Sequence, residues 1–114
     1  MILDFYYWFN SAKRVKIDLV AEHNLTLYPK QFSKLRVENP DLSFYELSNH
    51  SIKKEIINTN WITSRGAYLD DKSFEIYLFN EGEYEFSIKK GSVVGTATLE
   101  RISFADWIMK DEKN

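Results

Sequence analysis

The carboxylates between Asp70 and Glu85 come closest to a chemical constellation in this chain. Asp70, Asp71, Glu75, Glu81, Glu83 and Glu85 stand there against Lys72 alone, a local charge of −5 in a chain of 114 residues whose total is −2. Paired carboxylates can do general acid–base or glycosidic chemistry when burial or a like charge forces one of them to keep its proton. Asp70 with Asp71, or Glu83 with Glu85, could serve. A chain with 17 acids always offers such a pair, however, and no spacing here singles one out. The two histidines, His23 and His50, lie far apart and outside any H-x-x-x-H or H-E-x-x-H pattern. The four glycines, at 66, 82, 91 and 95, form no phosphate loop, no G-x-G-x-x-G and no G-x-S-x-G. With no cysteine there is neither a disulfide nor a thiolate metal site. The chain therefore reads as a non-enzyme, with no cofactor and no metal.

Acids interleaved with aromatics have a second use, in recognition. Glu75, Tyr77 and Phe79 alternate on one side of a period-2 run, and Glu81, Glu83, Tyr84 and Glu85 follow at its end. Such a surface suits a basic protein partner, because complementary charge speeds the encounter and aromatics anchor the complex. The competing reading is a solvated strand face with a charged tip, which keeps a sheet soluble and discourages edge-to-edge pairing. Nucleic acid is not indicated: Lys13-Arg14-Lys16 and Lys53-Lys54 are small clusters, and the pI near 5.7 gives no general attraction for phosphate.

The elements that would position these residues are mostly strands. Phe74, Ile76 and Leu78 alternate, Asn80-Glu81-Gly82-Glu83 supplies a turn in which Gly82 is free to take positive φ, and Tyr84, Phe86 and Ile88 alternate again. A turn at Lys90-Gly91-Ser92 leads to Val93–Leu99, where Gly95 marks a bulge or a close backbone approach. Together these predict a three-stranded meander. Ser103 and Asp106 are spaced as a capping box, and Phe104, Trp107 and Ile108 share one helical face, so a short C-terminal helix follows and lays Trp107 on the sheet. Upstream, residues 2–9 read as a strand apolar on both faces, with Tyr6, Tyr7 and Trp8 as core rather than as a binding patch. Arg14–Val20 alternates with Val15, Ile17 and Leu19 inward, and Asn24–Tyr28 is its short companion across Ala21-Glu22-His23. Pro29 could open a short helix over Lys30–Glu38 that ends at Asn39-Pro40. Leu42–Leu47 is strand-like. Residues 51–57 are ambiguous between helix and strand, and Ile56–Thr63 looks like a strand.

Composition bounds the remainder. Hydrophobic residues make up 44% and charged residues 28%, with only six Gly and Pro, so one folded domain over residues 1–114 is expected. Met1–Phe9 is apolar but about nine residues long, contains Asp4 and has no basic residue ahead of it. That is neither a signal peptide nor a membrane span, and a cytoplasmic protein, monomeric when free, is the expectation. The fold class is α+β, mainly antiparallel sheet, with two or three short helices.

A small, acidic, cysteine-free domain with an acidic aromatic face resembles the immunity proteins that bacteria make against their own secreted toxin domains, such as those of contact-dependent growth inhibition. The resemblance is one of general character and rests on no diagnostic motif. It implies tight binding to a cognate toxin domain, often a nuclease, with Glu75, Tyr77, Glu81, Glu83, Tyr84 and Glu85 in contact and Asp70 and Asp71 as rim charges. Two alternatives stand beside it. One is a small-molecule module whose 18 aromatics line a pocket in a curled sheet. The other is a structural subunit of a phage or secretion assembly.

Overall fold

The computed structural model describes residues 2–38, 44–70 and 73–112. Three helices and eight strands follow one another there: α1 Ile2–Asn10, β1 Arg14–Val20, β2 Leu25–Leu27, β3 Phe32–Val37, β4 Tyr45–Ile52, α2 Lys54–Asn60, β5 Ile62–Leu69, β6 Phe74–Asn80, β7 Phe86–Ile88, β8 Val93–Arg101 and α3 Phe104–Glu112. The expected class, α+β dominated by antiparallel sheet and ending in a helix, is what the chain adopts. Asn39, Pro40, Leu42 and Asp71, each of which entered a sequence expectation, lie outside the described residues.

Pairing is entirely antiparallel and forms two open three-stranded sheets, β1-β8-β4 and β3-β6-β5, with a β2-β7 ribbon beside them. The end of β1 runs into the end of β3 through a bridge between Ala21 and Val37, flanked by Glu22 N–H to Arg36 O and Glu38 N–H to Val20 O, both 2.9 Å. On the other flank β4 and β5 meet through side chains, with His50 Nε2 and Ser64 Oγ 2.8 Å apart. One core results. Leu19, Leu35, Val37, Ile62, Phe74, Ile76, Leu78, Val94 and Leu99 are buried in a single cluster to which both sheets contribute, and the ribbon adds Leu27 and Ile88. Only Tyr45 and Phe74 of the 18 aromatics are buried, so mainly aliphatic side chains fill the interior, with Phe44 and Phe86 packed at its edge.

The predicted meander does not form. β6, β7 and β8 enter three different sheets, and β6 instead makes its hairpin with β5. The cause is local to Asn80. Its buried side chain organises residues 81–85 into a loop that carries the chain over to β2, and β7 cannot fold back on β6. Positive φ belongs to Gly91, at +87°, and not to Gly82. Gly95 does mark a close approach: a Cβ there would overlap the Ser51 carbonyl oxygen, and the pairing with β1 shifts register opposite it.

Three further expectations are corrected. Residues 2–10 form a helix rather than a strand, because Phe5 and Trp8, three residues apart, share a helical face that docks on Phe104 of α3, with Phe9 stacked on Phe5. The Trp8 indole N–H donates to Ile102 O at 2.7 Å, and the Arg101 guanidinium lies 4.0 Å from the Trp8 ring centroid. Phe32–Val37 is a strand rather than a helix. Pro29 sits instead in a turn over Tyr28–Gln31 with Lys30 at φ +59°, and Leu35 and Val37 then point alternately into the core opposite Ile76 and Phe74. Of residues 24–28 only Leu25–Leu27 form a strand, and they pair with β7 and not with β1. At the other end Ser103 caps α3 as expected, its Oγ accepting from Asp106 N–H at 3.1 Å, and Trp107 packs edge-on against Phe44 just ahead of β4.

His50 gives the seam between β4 and β5 a pH dependence. Burial lowers its pKa from the ordinary 6.5. The unfolded chain therefore binds a proton that the folded chain resists, and stability is full above about pH 6.5 and falls as pH drops through the lowered folded value. Urea unfolding of His50→Gln followed between about pH 7.5 and 5 should show a flatter stability profile than the parent chain. Parallel profiles would mean that the seam does not sense protons.

Candidate functional site

The structure divides the predicted acidic surface. Asp70 closes the β5–β6 turn, its Oδ1 accepting from Ser73 N–H at 2.6 Å and from Ser73 Oγ at 3.3 Å. Glu75 is half-buried on the outer face of β6, with its Oε2 2.9 Å from Lys34 Nζ. The hydrogen bond and charge of Lys34 hold its carboxyl below the usual carboxylate range, with Arg36 and Ser73 adding to the effect. Tyr77 is exposed on the same face, opposite Lys34 and Gly66. Glu81, Glu83, Tyr84 and Glu85 come together beyond the far end of β6, roughly 20 Å along the strand from Asp70 at about 3.3 Å per residue. The expected broad negative face is thus two regions joined by a strand that also carries cations beside it.

The second region is a built site. α2 ends at Asn60, and Trp61 follows with φ 57° and ψ 35°, the left-handed conformation that helix C-termini usually reserve for glycine. Holding a tryptophan there costs on the order of 1–2 kcal/mol. The residue is nonetheless 65% exposed, so burial does not repay that cost. Trp61 O accepts Glu81 N–H at 2.8 Å, which fixes the loop against the helix end. Gly82 is buried beneath Trp61: an added Cβ would stand 3.2 Å from Trp61 Cβ and 3.3 Å from Asn80 Oδ1. Asn80 ties the loop from below, its amide donating to Leu27 O at 2.9 Å and Tyr84 O at 2.8 Å while its Oδ1 accepts from Gly82 N–H at 2.9 Å.

Between these parts lies a notch of about 220 Å³, walled by Trp61, Gly82, Glu83, Tyr84, Glu85 and Phe86. Tyr84 is 85% exposed. Two of the acids around the loop already have cations: Glu81 pairs with Arg65 at 3.0 Å, and Glu83 with Lys30 at 3.4 Å. Among the described residues Glu85 has no ion-pair partner within 4.0 Å. Indole, phenol and carboxylate around one small opening complement a guanidinium or ammonium group, through cation–π attraction and charge-assisted hydrogen bonds.

Of the expected contact residues, Glu83, Tyr84 and Glu85 line this notch and Glu81 lies in the loop beside it; Trp61 was not among them. The run Ile56–Thr63 looked like a strand, in which a tryptophan is ordinary. Reading the polar Asn58-Thr59-Asn60 as a helix end would have put Trp61 at an exposed junction. No protein-family model matches the chain, and no curated protein matches it. No helix among the described residues is long and apolar enough to cross a membrane.

Proposed function

We propose that this chain is a binding protein that neutralises a basic protein domain, in the manner of the small bacterial immunity proteins it resembles, and that the notch beside Trp61 receives a lysine or arginine side chain of that domain. The observation that carries the proposal is Trp61 itself: a large aromatic held in an unfavourable backbone conformation, left exposed, and set beside Tyr84, Glu83 and Glu85. Strain of this kind persists where surrounding structure imposes it, and it gathers at ligand clamps. A fixed aromatic next to carboxylates is also the composition of an interface anchor for an arginine-bearing partner.

The test is growth rescue. The C-terminal domain encoded by the neighbouring upstream gene is expressed with and without this chain, and viability is followed. Rescue by the parent chain supports the proposal, whereas toxicity that persists beside well-expressed folded chain defeats it. With the partner in hand, Trp61→Ala should weaken binding by about 30-fold or more, as truncation of an interface anchor does. Glu83→Lys with Glu85→Lys should slow association and flatten its salt dependence. Binding kinetics unaltered in both variants would remove the notch from the interface even if rescue succeeds.

A further inference from the structure

The outer face of the β3-β6-β5 sheet mixes exposed aromatic rings with cations. Antiparallel register sets three rows across it: Phe32, Phe79 and Thr63, then Lys34, Tyr77 and Gly66, then Arg36, Glu75 and Tyr68. Phe32, Tyr77 and Tyr68, one from each strand and each two residues further along, therefore lie on a single diagonal. They are 65%, 41% and 54% exposed. Cations stand on both sides of that diagonal. Lys34 and Arg36 project from β3, and Arg65 projects from the bulge of β5 between Ser64 and Gly66, its Cζ 5.3 Å from the Phe79 ring centroid. Gly66 keeps the flank of Tyr77 open, since a Cβ there would meet nothing within 4 Å. Against these three cations the face carries only Glu75, a local charge of +2 in a chain whose total is −2. Lys34 pairs with Glu75 and Arg65 with Glu81, while Arg36 has no carboxylate within 4.0 Å among the described residues.

We propose that this face binds single-stranded nucleic acid, with bases stacked on Phe32, Tyr77 and Tyr68 and phosphates held by Lys34, Arg36 and Arg65. Exposed rings on a sheet, bordered by positive charge, complement a polyanion whose every unit carries a flat π face. The ring spacing selects the strandedness. Diagonal neighbours on a sheet are about 7–8 Å apart, roughly twice the 3.4 Å step of stacked bases. Bases on successive rings must then be drawn apart, which a single strand allows and a duplex resists. A basic protein domain would meet like charge here, so the partner of the notch is not the occupant. An acidic peptide would satisfy the cations but offers no ring for each exposed aromatic. The small basic clusters of the sequence, Lys13-Arg14-Lys16 and Lys53-Lys54, take no part, because the cations of this face converge from β3 and β5 only on folding. No residue of the face lines the notch, so this site stands or falls separately from the proposed function.

Fluorescence anisotropy of the full chain with labelled oligo(dT) and oligo(U), about 12 nucleotides long and so within the span of one small domain, tests this. The expected result is binding of at least one of them with a Kd of about 1–100 µM, the range of sequence-independent recognition. Three phosphate contacts on a single strand should make affinity fall about 15–20-fold between about 50 and 200 mM salt. Tyr77→Ala and Phe32→Ala, both on the solvent side of the sheet, should each weaken binding at least about fivefold, as loss of a stacking ring does. Arg36→Gln should flatten the salt dependence, and thermal unfolding shows that each variant folds. Absence of binding to either strand at low salt overturns the proposal, as does binding that Tyr77→Ala and Phe32→Ala leave unchanged. Duplex DNA bound as tightly as the single strands overturns it as well. Poly-glutamate that competes as well as unlabelled oligo(dT) would assign the face to an acidic peptide, and self-association abolished by Tyr77→Ala would assign it to a second copy; either result overturns it.

Discussion

Asn80→Leu is expected to cost the fold roughly 3–4 kcal/mol and to loosen the notch at the same time. The residue is fully buried at the end of β6, and leucine has nearly its shape, so packing is kept while every polar contact of the side chain is lost. Leu27 O and Tyr84 O lose their donor, and Gly82 N–H its acceptor. A hydrogen bond contributes only about 1 kcal/mol net, but each partner left buried and unpaired adds a desolvation cost of about 1–3 kcal/mol. Loop 81–85 can relieve part of this by opening to water, which gives up the wall beneath Trp61. Thermal melts should show a fall of about 12–16 °C, at about 4 °C per kcal/mol for a domain of this size. A loss below about 1 kcal/mol would mean that water satisfies these groups and that Asn80 does not hold the loop.

Gly95→Ala is expected to be as damaging, by a different route. β8 is the centre of its sheet, between β1 and β4. The added methyl would overlap the Ser51 carbonyl oxygen and lie 3.0 Å from Ile52 Cα, both backbone of β4, so no rotamer change can relieve the clash. β4 would have to move away from β8 where Ile52 enters the core, breaking ladder hydrogen bonds and opening space around a buried side chain. We expect a loss of about 3 kcal/mol or more, in the range where large mutational effects need a named steric or cavity cause. Urea unfolding decides it: a midpoint within error of the parent chain would show that the strands can separate locally at little cost.

These two positions differ in how far the sequence announces them. Gly95 stands out as a glycine inside a β-branched run, and close backbone approach is the ordinary reason for one. Asn80 reads as a turn residue on the solvent side of a hairpin, and nothing nearby in the chain shows that Leu27 will lie above it. The site divides in the same way. Glu81, Glu83, Tyr84 and Glu85 are adjacent in the chain and so adjacent in space. Their neutralising partners Lys30 and Arg65, and the exposed Trp61, arrive from turns and strands far away in sequence.

Local alternation was enough to establish the α+β class and the inward sides of β1 and β6, through Leu19 and through Phe74, Ile76 and Leu78, because side-chain direction in a strand depends only on the residue's place in a period of two. The cap at Ser103 was legible for a similar reason, since its bond to Asp106 spans three residues. Strand pairing was not, because its energy lies in cross-strand contacts between residues distant in sequence. Tertiary structure therefore sent β6, β7 and β8 to three sheets. It also chose helix over strand for residues 2–10, whose aromatics suit either period until Phe104 offers a surface on which only the helical stripe fits.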